Sequence, residues 1–143
     1  MTQPVLCAVD ISNGLDDVKT VQTAARLAAM DGAQLDVIAV VPDFGLSPVG
    51  SFFNEDHHEI VVKEGRELLN TLVTEALGAE GNAKVNHVVG TGRAYDEVLK
   101  LASQIEPSLI VIGARKADLA DYLLGPNAAR IVRHANTSVY VVR

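Results

Sequence analysis

The chain has 143 residues, a formal charge of −6, 48% apolar residues and one cysteine. That length fits a single domain, residues 1–143, able to bury a real core. The negative charge argues against a nucleic-acid polymer or an anionic membrane as partner, since both call for a basic face. The longest apolar runs, 37–41 and 109–114, fall far short of a membrane span. Met1-Thr2-Gln3-Pro4 carries no basic segment and Asp10 interrupts the apolar run that follows, so no secretory signal is expected. A lone Cys7 fits the same expectation of a cytoplasmic protein, because secreted domains usually carry paired cysteines.

In chain order, residues 4–9 read as a strand apolar on both faces, hence central, ended by Asp10-Ile11-Ser12-Asn13-Gly14. Ser12 or Asn13 can cap a helix with Asp16 and Asp17 in its first turn and Val18, Val21, Ala25 and Ala28 on one face, stopped by Asp31-Gly32. Residues 35–41 form the second strand. A Pro-, Gly- and Ser-rich loop follows, holding all three phenylalanines, Phe44, Phe52 and Phe53. A loop of this length leaving a strand's carboxyl end suits a lid or binding loop, and equally a plug for the core or a subunit contact.

A long helix over 59–77 repeats Val61, Leu68, Leu69, Leu72, Val73 and Ala76, with Gly78 placed to end it. His57 and His58 among carboxylates invite a metal site, but neighbours in sequence do not share a helix face, and an acidic helix start explains the run. Residues 84–89 are the third strand, ended by Gly90-Thr91-Gly92, with His87 inside it. Tyr95, Val98, Leu99, Ala102 and Ile105 mark the next helix, which Pro107 stops. The fourth strand is 109–112, and after a polar turn a short helix opens at Gly125-Pro126 and leads into the last strand, 139–142. Alternation of this kind predicts one doubly wound parallel sheet with helices on both faces.

In such sheets a ligand sits beyond the carboxyl ends of the strands, and a helix start reached through glycines offers N–H groups to an anion. Gly113 and Gly125 are therefore candidate phosphate-binding positions. A phosphoacceptor domain would need an Asp ending the third strand, which is absent. A flavin phosphate loop would need more hydroxyls than Ser12 supplies. Cys7, mid-strand among apolar neighbours, reads as buried and inert. Arg133 and His134 fall in the last turn of their helix, where positive charge suits the dipole. The final strand, Val139-Tyr140-Val141-Val142, leaves an apolar edge that self-pairing across a two-fold axis would cover, which gives a homodimer as the expected assembly.

Val9-Asp10-Ile11-Ser12, Ile112-Gly113 and the run from Leu123-Leu124-Gly125-Pro126-Asn127 through Arg133-His134-Ala135 together resemble the universal stress protein family, over the whole chain. The resemblance is to the small enterobacterial members. It implies a five-stranded sheet of order 3-2-1-4-5 in the adenine nucleotide alpha-hydrolase-like class, dimerisation through the last strand, and ATP, with or without Mg2+, bound where the first and fourth strands meet. By the same resemblance the main chain of Val40 meets the base, and Gly113, Arg115, Lys116, Gly125, Pro126, Asn127 and Ala128 surround the phosphates. The chain departs from the family's loop pattern: Lys116 replaces a Gly, the spacing to Gly125 is one residue short, and Pro126 replaces a hydroxyl residue. Pro126 has no N–H. Arg115 and Lys116 add charge-assisted donors that offset this loss.

A carboxylate at the end of the first strand would repel a triphosphate, so a ligand-binding role puts Asp10 on the ribose or base side. Asp10 can also serve only to cap the loop that follows it. No paired acids, activated nucleophile or clear metal ligands are legible, so any ATP hydrolysis is expected to be slow. The functional expectation is an ATP-binding stress-response sensor or regulator with an unidentified protein partner. The alternative is a same-fold interaction module that no longer binds nucleotide. An adenylating or hydrolytic enzyme shares the sheet but lacks its motif here.

Overall fold

In a computed structural model, which describes residues 2–13, 15–41, 55–114 and 126–143, the strands are β1 (Val5–Val9), β2 (Leu35–Val41), β3 (Asn86–Thr91), β4 (Leu109–Gly113) and β5 (Ser138–Val142). The helices are α1 (Val18–Met30), α2 (Glu55–Asn82), α3 (Ala94–Ile105) and α4 (Pro126–His134). All strand pairings are parallel and the order is β3-β2-β1-β4-β5. The loop 42–54 with its phenylalanines lies outside the described residues.

Side chains alternate across the strands, so one sheet feeds two cores. Val5, Cys7, Val9, Leu35, Val37, Ala39 and Val111 pack with Val21, Ala24 and Ala28 of α1 and Leu69, Leu72 and Val73 of α2. Leu6, Ile38, Ile110 and Ile112 pack on the other face with Val98 of α3 and Ile131 of α4. The near-continuous apolar run of each central strand is what coverage on both faces requires. Cys7 is buried at the centre of the α1 face, where desolvation chiefly, and then the Asp17 charge, push its thiol far up and leave it unreactive.

Several element boundaries differ from the sequence expectation. Residues 11–13 form a 3-10 turn and α1 starts only at Val18, so Asp16 and Asp17 precede the helix instead of lying in its first turn. Asp17 occupies the N-cap position without a side-chain cap bond, because its carboxylate is used elsewhere. α2 begins at Glu55, so His57 and His58 are helical, and Leu68 points outward. Gly78, at φ 76° and ψ 171°, interrupts the helix where expected, but a last turn continues to Asn82.

That turn is fastened to the sheet. The Asn82 amide donates to Asn70 Oδ1 at 2.7 Å and Thr74 Oγ1 at 2.8 Å, and its Oδ1 lies 2.6 Å from His87 Nε2. His87 is thus a donor in this clasp as well as an exposed strand residue. β3 accordingly starts two residues later than expected and includes Gly90 and Thr91. α3 ends as Pro107 requires, with Glu106 in the left-handed region at φ 49°. Among the described residues no helix is long and apolar enough to cross a membrane.

Candidate functional site

The strands end at unequal heights, and this makes a notch. β1 pairs with β2 up to Val9 opposite Ala39, whereas β2 runs on through Val40 and Val41, which pair only with Gly90 and Thr91 of β3. On the other side Ala8 is level with Ile112, so Gly113 is the next position, beside Val9, and it pairs outward with Val142. Val40 and Gly113 therefore flank the end of β1 at the switch point of the sheet, where ligands of open α/β folds bind.

Asp10 leaves β1 at the floor of this notch. Its Oδ1 accepts the Ser12 N–H at 2.9 Å and the Ser12 hydroxyl, so the carboxylate caps the 3-10 turn. The loop-capping role is thus realised in the folded chain. The Asp10 N–H donates to Asp17 Oδ2 at 2.7 Å, and Asp17 Oδ1 accepts the Thr20 hydroxyl at 2.9 Å. Burial raises the Asp17 carboxyl above its ordinary 3.8; the two hydrogen bonds oppose this, and the charges of Asp10 and Asp16 add to it.

Gly113 meets this group directly. A Cβ placed on it would lie 2.7 Å from Asp17 Oδ1 and 2.8 Å from Thr20 Oγ1. The missing side chain is therefore required on the α1 side, for close packing against a carboxylate and a hydroxyl. The sequence pattern points that glycine to phosphate binding alone and carries no signal that joins Asp17 or Thr20 to it. Ala114 continues past the strand with its N–H on the Val142 carbonyl at 2.7 Å.

The opposite face of the sheet carries α4, whose Ile131 packs with Ile110 and Ile112, and its start is the candidate for the second wall. Pro126 is its first residue, so the N–H groups of Asn127 and Ala128 fall in the first turn, where helical N–H groups have no intrahelical acceptor. The Asn127 side chain has its own task. Its Oδ1 accepts the N–H of Tyr95 at 3.3 Å and so caps α3, whose N-cap residue Arg93 supplies no side-chain cap. Arg130, one turn further on, holds its guanidinium 4.6 Å from the centroid of the Tyr95 ring. Ala128 packs into the core beneath.

The structure thus brings Asp10, Val40 and Gly113 to one notch, with Asn127 and Ala128 in the first turn of α4 on the other face of the sheet. Arg115, Lys116 and Gly125 lie outside the described residues. Among those described, no group of three or more His, Cys, Asp or Glu side chains is arranged to hold a metal ion.

A sequence model of the Universal stress protein family matches residues 1–143. Universal stress protein G of Shigella flexneri is 30% identical over 145 residues, covering 100% of both chains. Among solved structures, the universal stress protein from Archaeoglobus fulgidus in complex with dAMP superposes with a TM-score of 0.69 at 20% identity, covering 99% of this chain and 98% of that one. A universal stress protein in complex with cAMP superposes with a TM-score of 0.62 at 19% identity, covering 99% and 97%. At such identities these structures establish a shared fold, the adenine nucleotide alpha-hydrolase-like sheet of order 3-2-1-4-5.

Proposed function

Because the chain belongs to the universal stress protein family, we propose that it binds an adenine nucleotide, ATP, past the ends of β1 and β4 and acts in the cytoplasm as a stress-response sensor or regulator. The observation that carries this reading is the notch itself, in which β1 stops between Val40 and Gly113 at the switch point. The dAMP and cAMP complexes of structural neighbours support the ligand class. Asp10 lies on the ribose or base side, the Val40 main chain meets the base, and the phosphates take the N–H groups of Asn127 and Ala128 together with the segment from Gly113 through Arg115, Lys116, Gly125 and Pro126. The Pro126 ring lacks one donor of this set, and Arg115 and Lys116 compensate with charge.

The protein acts as a homodimer through β5. That strand is an outer edge of the sheet, its Tyr140 is 42% exposed, and pairing with a second copy satisfies its backbone. A monomer in analytical ultracentrifugation at micromolar concentration would refute the dimer.

The nucleotide is tested on the protein as purified, by heat or acid release followed by mass spectrometry, and by thermal shift with added ATP. Near-stoichiometric adenine nucleotide, or a stabilisation that saturates with ATP, is the expected result. No released nucleotide and no shift would favour an interaction module of the same fold, with Pro126 as the residue that cost the phosphate site a donor.

A further inference from the structure

Asp17 is held by two hydrogen bonds, half-buried, and set against the backbone of Gly113 on the side away from α4. Nothing assigned to the notch so far makes use of its charge. The Asp10 amide and the Thr20 hydroxyl both donate to it, and this fixes the carboxylate while leaving its negative charge in place. Gly113 is where the main chain leaves β4 toward the proposed phosphate segment. Phosphate held beside Gly113 would have this fixed, half-buried carboxylate behind the glycine backbone.

From this arrangement we infer that Asp17 is a specificity-determining residue that grades nucleotides by phosphate charge, weakening ATP relative to AMP and to uncharged adenosine. The inference rests on the crevice being the nucleotide site. It deepens that reading by assigning what the site measures, the phosphorylation state of an adenine nucleotide as well as its presence. A single half-buried charge is enough for this. At about 10 Å and an effective dielectric of roughly 40, each unit charge on the ligand changes affinity about fourfold, and the roughly two extra charges of ATP over AMP make that about sixteenfold.

Other groups near Asp17 do not remove the effect. Cys7 is buried and neutral, Asp10 and Asp16 carry the same sign, and Lys19, whose ammonium donates to the Arg143 carbonyl at 2.7 Å, keeps its positive charge in wild type and variant alike. Any cation on the loop acts on the wild type and on an Asp17 variant alike, so a comparison of the two isolates the carboxylate.

The test is the affinity of the full chain for adenosine, AMP, ADP and ATP by calorimetry in EDTA, which keeps magnesium from masking phosphate charge. Wild type is compared with Asp17→Asn, near-isosteric, whose amide oxygen can still accept the Asp10 N–H while its NH2 donates to the Thr20 hydroxyl oxygen. The ratio of ATP to AMP affinity should rise about sixteenfold in Asp17→Asn, and the gain should shrink in 0.5 M salt, as a charge effect must and a packing effect need not. Thr20→Val, which removes one hydrogen bond and keeps the charge, should leave the wild-type ratio in place and guards against a trivial folding defect. If nucleotides bind both proteins and the ratio stays within twofold, the role given to Asp17 is wrong while the crevice stands. If neither protein binds any of the four, the crevice reading falls and takes this inference with it.

Discussion

The two walls of the notch are built from different materials. On the α1 side a half-buried carboxylate takes a backbone N–H and a hydroxyl, and Gly113 closes on it at a separation that admits no side chain. On the α4 side Asn127 and Arg130 meet Tyr95 through one long hydrogen bond and one cation–π contact, with both α4 side chains exposed. Buried hydrogen bonds at close range are costly to disturb, while exposed polar contacts contribute little each. The first wall is therefore set when the sheet folds. The second is the one a ligand can still order, so the two walls should respond very differently to substitution.

The sharpest way to break this contrast is Gly113→Ala. A methyl 2.7 and 2.8 Å from two hydrogen-bonded oxygens must push both aside, and overpacking of this kind costs about 1–3 kcal/mol. Urea unfolding should show that loss, accompanied by weakened nucleotide binding. Thr20→Val comes next. It leaves the half-buried Asp17 Oδ1 without the donor that buried Thr20 supplies, a loss of roughly 1 kcal/mol at the low end of the cost of an unsatisfied polar group.

A smaller effect is read from pH. Because burial raises the Asp17 carboxyl, the folded chain holds its proton more tightly than the unfolded chain does. The resulting stability is fully present below pH 3.8 and is lost as pH rises through the raised folded value. Wild type should thus gain stability relative to Asp17→Asn as pH falls through that window, by chemical denaturation at each pH. A constant difference would mean that the carboxyl is not perturbed. On the other wall, Arg130→Ala should cost only about 0.5–1 kcal/mol, and a loss as large as that of Gly113→Ala would erase the distinction between the walls.

Much of the fold was legible in the chain because its signals are local. Apolar runs bounded by Gly and Pro marked the strands, and Gly78 and Pro107 marked helix stops that the structure keeps in essence. Strand order was not readable from local physics and came from the family resemblance. The start of α1 was misplaced because an acidic pair before an apolar face looks like a helix's first turn, whereas Asp17 is drawn away by the Asp10 amide and Thr20. The outward turn of Leu68 was lost in a helix apolar on more than one side.

The site was legible as a place more than as a mechanism. Asp10, Val40 and Gly113 do converge, because strand ends at a switch point must. The partnership of Asp17 with Gly113 joins residues 96 positions apart through the pairing of β1 with β4, and no spacing rule reports it. The capping of α3 by Asn127 is likewise tertiary: a sequence reader looks for a cap at Arg93 and finds none.

One measurement addresses the central claim directly. In a titration of uniformly 15N-labelled protein with ATP, followed by two-dimensional amide spectra, the shifting resonances should be those of Asp10, Val40, Val41, Gly113, Ala114, Asn127 and Ala128, at the ends of β1, β2 and β4 and the first turn of α4. Saturating shifts confined to that set would place the nucleotide in the notch. Spectra unchanged at millimolar ATP, or shifts gathered instead around His87 and Asn82, would show that the notch is not its site.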